Sequence, residues 1–381
     1  MSHNTRESRL LALAAVFLFL YSVALSLAPA ARLRSWQADF PWQHWAGFAA
    51  WLVVFGTAAF LGRKKLPGHD PYLLPITGLL TGWGLLTVFR LYPESGWRQT
   101  AWLLVGGAIY LAGIHYPVIL KLLRRYKYLW LTLGLALTGL TLVLGTNPLG
   151  FGPRMWLGCC GLYLQPSEPL KFLLVVYLAA YLADRLPLIN LPAGRSAPTQ
   201  PAPGRRPGVD SQGGNDRRSA SRTSRRAPFT GSMLPLVAPT LVMTGLALGI
   251  LLVQRDLGTA SIFLFVYFAI LYVATGRKIV LGTALAVLVV FGAIGYWMFD
   301  LVRLRIDAWL NPWLDPSGRS YQIVQSLLAV ANGGILGRGP GVGNPGLVPV
   351  PHSDFIFASI SEETGLLGAV GILLLLALIV D

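Results

Sequence analysis

The sequence predicts an all-α fold, a polytopic membrane bundle of about ten spanning helices with one long loop on its outer side. Three observations predict it. Of 381 residues, 54% are hydrophobic and only 12% are charged, about half the charged share of a typical soluble protein. Apolar runs of roughly 20 residues, long enough to cross a bilayer, recur along the chain. The connections between them alternate between strongly and weakly basic. Backbone polar groups facing lipid must be satisfied within their own segment, so the runs are expected to be helices.

In chain order the expected spans are 10–29, 42–62, 72–91, 101–118, 128–146, 169–186, 233–253, 257–275, 279–299 and 364–380. The first, LLALAAVFLFLYSVALSLA, follows Arg6 and Arg9 as a secretory signal would. It is too long for a signal core, and Pro29-Ala30-Ala31 is a weak cleavage site, so a retained helix is expected. Arg63-Lys64-Lys65, the cluster Lys121, Arg124, Arg125 and Lys127, the long loop after Arg185, and Arg277-Lys278 fall on one side. The connections 30–41, 92–100, 147–168, 254–256 and 300–353 fall on the other. By the positive-inside rule the first set is cytoplasmic and both termini are inside.

The formal charge of +15 is assigned to this orientation signal, and nucleic acid is excluded as a partner. Cys159 and Cys160 are sequence neighbours and read as two small apolar residues, neither a disulfide framework nor a metal site. Residues 187–232, rich in Pro, Gly, Ser and Arg, have no apolar period and are expected to be a disordered basic cytoplasmic loop. That loop is either a tether to anionic membrane lipids or a solvated linker. In the outer loop 300–353, YQIVQSLLAVANGG has helical spacing. An amphipathic helix is expected there, with Ile323, Leu327, Val330 and Ala331 on one face and Gln322, Gln325 and Ser326 on another.

Polar groups in or beside spans are costly and are therefore functional candidates. In GPRMWLGCCGLYLQPSEPLKF, residues 152–172, Ser167 reads as an N-cap with Glu168 in the first turn and Pro169 just inside. Glu168 and Lys171 share a helix face and can pair. Arg154 sits among apolar residues on the outer side, where an anion would explain it. In VQRDLGTASIF, Arg255 and Asp256 occupy a tight hairpin, and Gly258-Thr259-Ala260 permits close helix contact. In RIDAWLNPWLDPSGRSYQ, Asn311-Pro312 and Asp315-Pro316 initiate turns, which leaves Asp315 a secondary acid–base candidate. Gly341 to Gly346 match G-x-G-x-x-G formally. With no strand before it, no helix after it and Pro345 inside, the dinucleotide reading is rejected.

PHSDFIFASISEE, residues 351–363, brings three acids to the last apolar run. A helix is expected to begin at Asp354 with Ser353 as its cap. Asp354, Ala358, Ser361 and Gly365 then form a small and polar stripe facing a cavity, with Glu362 alongside. In such a cavity Asp354 could serve as a general base, whereas Glu363 could merely orient the helix.

GPRMWLG…LYLQPSEPLK, QRDLGTA, NPWLDPSGRSYQIVQSLLAVANGGILGRGPG and PHSDFIFASISEETGLLG together resemble the SEDS family, the shape, elongation, division and sporulation proteins such as RodA and FtsW. The similarity runs from about residue 72 to the end, so residues 1–70 form an N-terminal extension of two spans and 71–381 the family core. The resemblance implies a multi-pass protein of the bacterial inner membrane. It implies a peptidoglycan glycosyltransferase that polymerises lipid II outside that membrane with a class B penicillin-binding protein. It implies that Asp354 is catalytic, matching the acid of the family's His-Thr-Asp-Phe, with Ser353 in place of Thr. Glu168, Lys171 and Asp256 would line the cavity, and Arg154 and Trp156 match the family's Arg-Trp although Met155 intervenes. Arg255 stands where the family has Pro. Gln165, Ser167, Gln322, Gln325, Ser326, His352 and Glu362, from the same motifs, complete the substrate-binding candidates. No metal ligand is assigned, no cofactor is expected firmly, and a divalent cation is an open alternative to Arg154, Arg255 or Lys171 at the leaving pyrophosphate. The family carries two further spans with a Pro-Phe-Ile-Ser-Tyr-Gly-Gly-like motif beyond the position of Asp381, so a cavity wall is expected to be missing or supplied by a second chain.

Two other functions use charged residues in spans. A flippase or transporter of lipid-linked precursors predicts a polar path with midplane sites. A non-catalytic scaffold of a wall-synthesis complex predicts that Asp354→Asn changes nothing.

Overall fold

The structure is a computed structural model that describes residues 3–66, 68–147, 154–159, 162–189 and 234–380. In chain order its helices and strands are α1 His3–Leu33, α2 His44–Lys65, α3 Leu73–Leu91, α4 Pro93–His115, α5 Val118–Arg125, α6 Lys127–Leu144, β1 Leu157–Cys159, β2 Leu162–Leu164, α7 Ser167–Ile189, α8 Leu234–Val253, α9 Leu257–Thr275, α10 Lys278–Met298, α11 Asp300–Leu310, α12 Tyr321–Gly333 and α13 Ile356–Val380. Helices occupy all of the expected spans. Seven, namely α1, α2, α3, α6, α9, α10 and α13, are long and apolar enough to cross a membrane, and the bent pair α4–α5 makes an eighth. α8 has a shorter apolar stretch, Val237–Val253, and α7 carries Glu168, Lys171, Asp184 and Arg185 near its ends. Of the expected disordered loop 187–232, residues 190–232 lie outside the described residues.

The chain forms two compact units, residues 1–120 with 294–381, and residues 121–293. The two helices of the N-terminal extension thus belong to the same unit as α3, α4 and the last ninety or so residues, about one quarter of a chain of this size. In this first unit Leu18, Tyr21 and Leu25 of α1 pack with Trp51 and Phe55 of α2, Trp83 and Leu86 of α3, and Ile360 and Ile372 of α13. A buried indole needs an acceptor, and Trp51 Nε1 donates to the Gly78 carbonyl at 2.7 Å. Glu7, fully buried in α1, pairs with His69 Nε2 and lies 3.7 Å from Arg63 Nε. α4 starts with Pro93 and Glu94, residues suited to the unpaired N–H groups and positive dipole of a first turn.

In the second unit Leu131 of α6, Leu170, Leu174 and Tyr177 of α7, Leu251 of α8, and Phe263 and Tyr267 of α9 form the core. Buried Gln254 ends α8 by donating Nε2 to Thr138 O at 2.8 Å and Thr141 Oγ1 at 2.5 Å, both on α6. Asp256 caps α9, accepting from Thr259 N at 3.1 Å.

β1 and β2 pair antiparallel, Leu157 with Leu164 and Cys159 with Leu162, a small two-stranded element in a fold expected to be all-α. Three local expectations are corrected. Ser167 is not a cap: it lies inside α7, its hydroxyl buried without a hydrogen-bond partner. α12 exists where expected, but its buried face is Val324, Ala329 and Gly333, while Leu327 and Val330 are exposed. Small residues face inward there because α12 meets α13 closely enough that a Cβ on Gly333 would strike the Ser361 carbonyl. Finally, α13 begins at Ile356, so Asp354 precedes the helix, and Ser353 makes no cap; its hydroxyl instead donates to Asp354 Oδ1 at 3.3 Å.

Candidate active site

The last apolar run is interrupted. At Gly365 (φ 68°, ψ −167°) the backbone leaves helical geometry, dividing α13 into 356–364 and 366–380. A helix break leaves carbonyls without their intrahelical donors. The Gly-rich segment after α12 supplies them: Arg338 N donates to Glu362 O at 3.0 Å and Gly339 N to Glu363 O at 2.9 Å. In return Leu366 N donates to Gly334 O at 2.9 Å and Leu367 N to Ile335 O at 3.3 Å. A Cβ at Gly365 would collide with Gly337 N and Ile335 O, which is why this position is glycine.

Ahead of the break stand Glu362 and Glu363, 5% and 2% exposed. Buried carboxylates are costly unless paired. Glu363 Oε1 lies 3.5 Å from Arg90 Nε at the end of α3. Glu362 Oε1 accepts the Asn344 N–H at 3.1 Å. Arg90 also donates from Nη2 to the carbonyls of Gly341 at 3.0 Å and Gly343 at 3.3 Å. Two glycines of the formal G-x-G-x-x-G thus have packing reasons. Gly341 (φ 76°) has no room for a Cβ beside Ala28 of α1, and Gly343 lies against the side chains of Glu362 and Glu363.

From there the chain passes a short 3-10 turn, Pro345–Leu347, and reaches the turn 351–355. Half-buried His352 packs its ring against Tyr92, centroids 4.4 Å apart, and its Nδ1 has no hydrogen-bond partner. Asp354 follows, exposed. The stripe expected to face a cavity does not: Ala358, Ser361 and Gly365 are buried in protein, with Ala358 packed on Ala329 and Val348. A cavity of about 560 Å³ does open in this unit, beside Arg32, His44, Phe89, Arg90, Pro93 and Gly341, and Asp354 does not line it.

The remaining candidates of this unit are spread along α12 and its approach. Gln322 is exposed; Gln325 and Ser326 are half-buried, and Ser326 Oγ donates to Ile323 O at 2.7 Å. Asp315 is exposed and closes the expected turn, its Oδ2 accepting Arg319 N at 3.0 Å.

The second unit holds the other set. Glu168 and Lys171 pair at 2.8 Å on the face of α7, as expected from their spacing. Arg154 is exposed, Gln165 is half-buried, and half-buried Trp156 forms a backbone bridge with Thr146. Arg255 is exposed with φ 60°, a left-handed conformation uncommon outside glycine. A proline, held near φ −65°, could not take it. Asp256 Oδ2 has no hydrogen-bond partner, while its other oxygen caps α9. Among the described residues no group of three or more His, Cys, Asp or Glu could hold a metal ion.

Sequence reasoning missed Arg90 and Tyr92 and gave Glu363 too little weight. A lone arginine ending an apolar span was the available signal, but its contact to Gly341 lies 251 positions away.

Residues 90–380 match the family model of the FtsW, RodA and SpoVE cell cycle proteins. The chain belongs to this family. It is 30% identical over 358 residues to the peptidoglycan glycosyltransferase RodA of Mycobacterium tuberculosis, covering 89% of this chain and 68% of that one. RodA of Mycobacterium leprae is 29% identical over 360 residues, covering 90% and 69%. The stage V sporulation protein E of Bacillus subtilis is 30% identical over 259 residues, covering 67% and 59%. A chain of a solved peptidoglycan synthase complex is 22% identical, with a TM-score of 0.45 over 88% of this chain and 75% of that one, a likeness too loose to place any residue. The family match begins at Arg90, so the helices α1 and α2 lie outside it.

Proposed function

We propose that Asp354 is the general base of this chain, a peptidoglycan glycosyltransferase of the FtsW/RodA/SpoVE family, in joining lipid II units into β-1,4 glycan strands. The observation that carries the proposal is the state of its carboxylate. Asp354 is exposed, its carboxylate accepting from the neighbouring Ser353 hydroxyl at 3.3 Å, while the segments on both sides of its turn are anchored. A base needs free lone pairs on a fixed backbone, and this turn offers both.

The donor lipid II carries an α-linked disaccharide on a polyprenyl pyrophosphate, and the product bond is β. One inverting displacement accounts for the change. Asp354 takes the proton of the acceptor 4-hydroxyl as that oxygen attacks the donor anomeric carbon. The bond from this carbon to the pyrophosphate oxygen breaks, and its electron pair departs with the polyprenyl pyrophosphate. Fixed cations would stabilise the charge that develops there. The family resemblance supplies Arg154 and Lys171 for it, with Glu168 and Asp256 in the same polar set, and Arg255 is a further candidate from this sequence, which has it where the family has Pro.

The basic runs Arg63-Lys64-Lys65 and Arg277-Lys278 support cytoplasmic termini, which puts Asp354 at the outer face of the cytoplasmic membrane. Lipid II is the proposed substrate and a class B penicillin-binding protein the proposed partner, both on the strength of the family. The test is lipid II polymerisation by the purified protein with such a partner. Asp354→Asn is expected to abolish chain growth. Full activity in that variant would remove Asp354 from the mechanism and promote Asp315.

A further inference from the structure

Asp354 lies in a turn with no helix or strand of its own, so its position depends on what holds the flanks. The C-terminal flank is secured by packing: Phe355 and Ala358 meet Val348 and Ala329. The N-terminal flank, residues 341–352, contains one short 3-10 turn and is gripped elsewhere. Arg90 Nη2 binds the carbonyls of Gly341 and Gly343, and the Tyr92 ring lies on His352, two residues from Asp354. Arg90 and Tyr92 bracket the corner between α3 and α4, so one rigid corner grips the loop at both of its ends. Glu363 fixes the guanidinium from behind through Nε at 3.5 Å.

We propose that Arg90 and Tyr92 are positioning residues for Asp354: the corner between α3 and α4 sets the height and direction of the turn that carries the base. The proposal rests on Asp354 as the base. Arginine suits the task because its planar fork reaches two carbonyls and a carboxylate together, which the single ammonium of lysine cannot do. Tyr92 acts through its ring, 4.4 Å from that of His352, so the hydroxyl is dispensable. Neither residue touches substrate in this assignment. Their effect is geometric, and a misplacement of about 1 Å at a reacting group costs on the order of 10²-fold in rate.

The experiment uses the full chain with Cys159 and Cys160 replaced by alanine and a nitroxide on Leu347→Cys, an exposed position within the gripped loop. Arg90→Lys and Tyr92→Leu are each compared with Tyr92→Phe, and Arg90→Lys keeps a positive charge beside Glu363 so that folding is spared. Label mobility and lipid II polymerisation are read on the same preparations. Arg90→Lys and Tyr92→Leu are expected to loosen the label and lower kcat about 10- to 100-fold, with KM for lipid II within about threefold. Tyr92→Phe is expected to retain both wild-type values. An unchanged label, or a loosened label with unchanged kcat, overturns the positioning role. An elevated KM at constant kcat would instead make Arg90 or Tyr92 a substrate contact and likewise overturn it. Asp354→Asn runs alongside: wild-type turnover there defeats the base assignment, and a loosened label in Arg90→Lys would still show the grip itself.

Discussion

Arg90 Nε stands 3.5 Å from Glu363 Oε1, joining the end of α3 to a carboxylate that is 2% exposed. Removing one partner from such a pair strands the other charge, which typically costs about 3–5 kcal/mol. Arg90→Met is therefore expected to lower the unfolding midpoint in detergent sharply. Arg90→Met combined with Glu363→Gln is expected to recover part of the loss, since neither charge then remains. A coupling of about 1–3 kcal/mol in the double-mutant cycle is the predicted outcome. Additive effects would show that the two side chains do not stabilise each other.

Two glycines of one motif make a sharper comparison. Gly341 has φ 76° and Ala28 against it, whereas Gly346 has neither a positive φ nor an atom within 4 Å of a built Cβ. The left-handed conformation alone costs a non-glycine residue roughly 1–2 kcal/mol. Gly341→Ala is expected to exceed that because α1 must also shift, while Gly346→Ala is expected to stay within about 0.5 kcal/mol of wild type. Thermal unfolding of the pair checks it, and equal effects would mean that the packing of Gly341 on α1 is immaterial to stability.

Glu168 and Lys171 separate stability from chemistry. Their pair is exposed on the carboxylate side, and ion pairs of this kind contribute about 0.2–1 kcal/mol at most. Glu168→Gln should leave the unfolding midpoint nearly unchanged. Because Glu168 belongs to the proposed substrate-binding set, lipid II polymerisation is expected to fall at least about tenfold, roughly 1.4 kcal/mol of activation free energy. Wild-type turnover would reduce the pair to an ornament of the α7 surface.

The spans were legible because composition alone decides where backbone can enter lipid, and every expected span is occupied by a helix. The Glu168–Lys171 pair was legible because three residues on a helix are neighbours. The hairpin was not, since strands of three residues, Leu157–Cys159 and Leu162–Leu164, are too short to show a period of two. The face of α12 was misread for a different reason. Helical spacing pointed to Ile323, Leu327, Val330 and Ala331, yet close approach to α13 selected the face with the small Ala329 and Gly333. A helix was expected to start at Asp354 because Ser353 offers a cap at the edge of the apolar run, yet the chain stays in a turn up to Phe355, and Gly365, read as part of that helix's stripe, is a break in it. What Arg90 does could not be read at all: no local spacing connects the end of α3 to a carbonyl 251 residues later.

The extension offers a pH-dependent contact away from the proposed chemistry. His69, half-buried in the connection between α2 and α3, donates Nε2 to buried Glu7, and its Nδ1 lies 2.7 Å from Leu66 O. The hydrogen bond to Glu7, followed by that to the Leu66 carbonyl, raises the imidazole above its usual pKa of 6.5. A raised folded-state pKa means that the folded chain holds this proton more tightly than the unfolded chain. The resulting stabilisation is complete below the unfolded value and is lost as pH rises through the folded one. Between about pH 6 and pH 8, the unfolding midpoint in detergent should therefore decline more steeply for wild type than for His69→Gln. Arg63, 3.7 Å from Glu7, keeps one cation on the acid throughout, so the decline should be partial. Parallel pH profiles for the two proteins would show that folding leaves the proton affinity of the imidazole unchanged over this range.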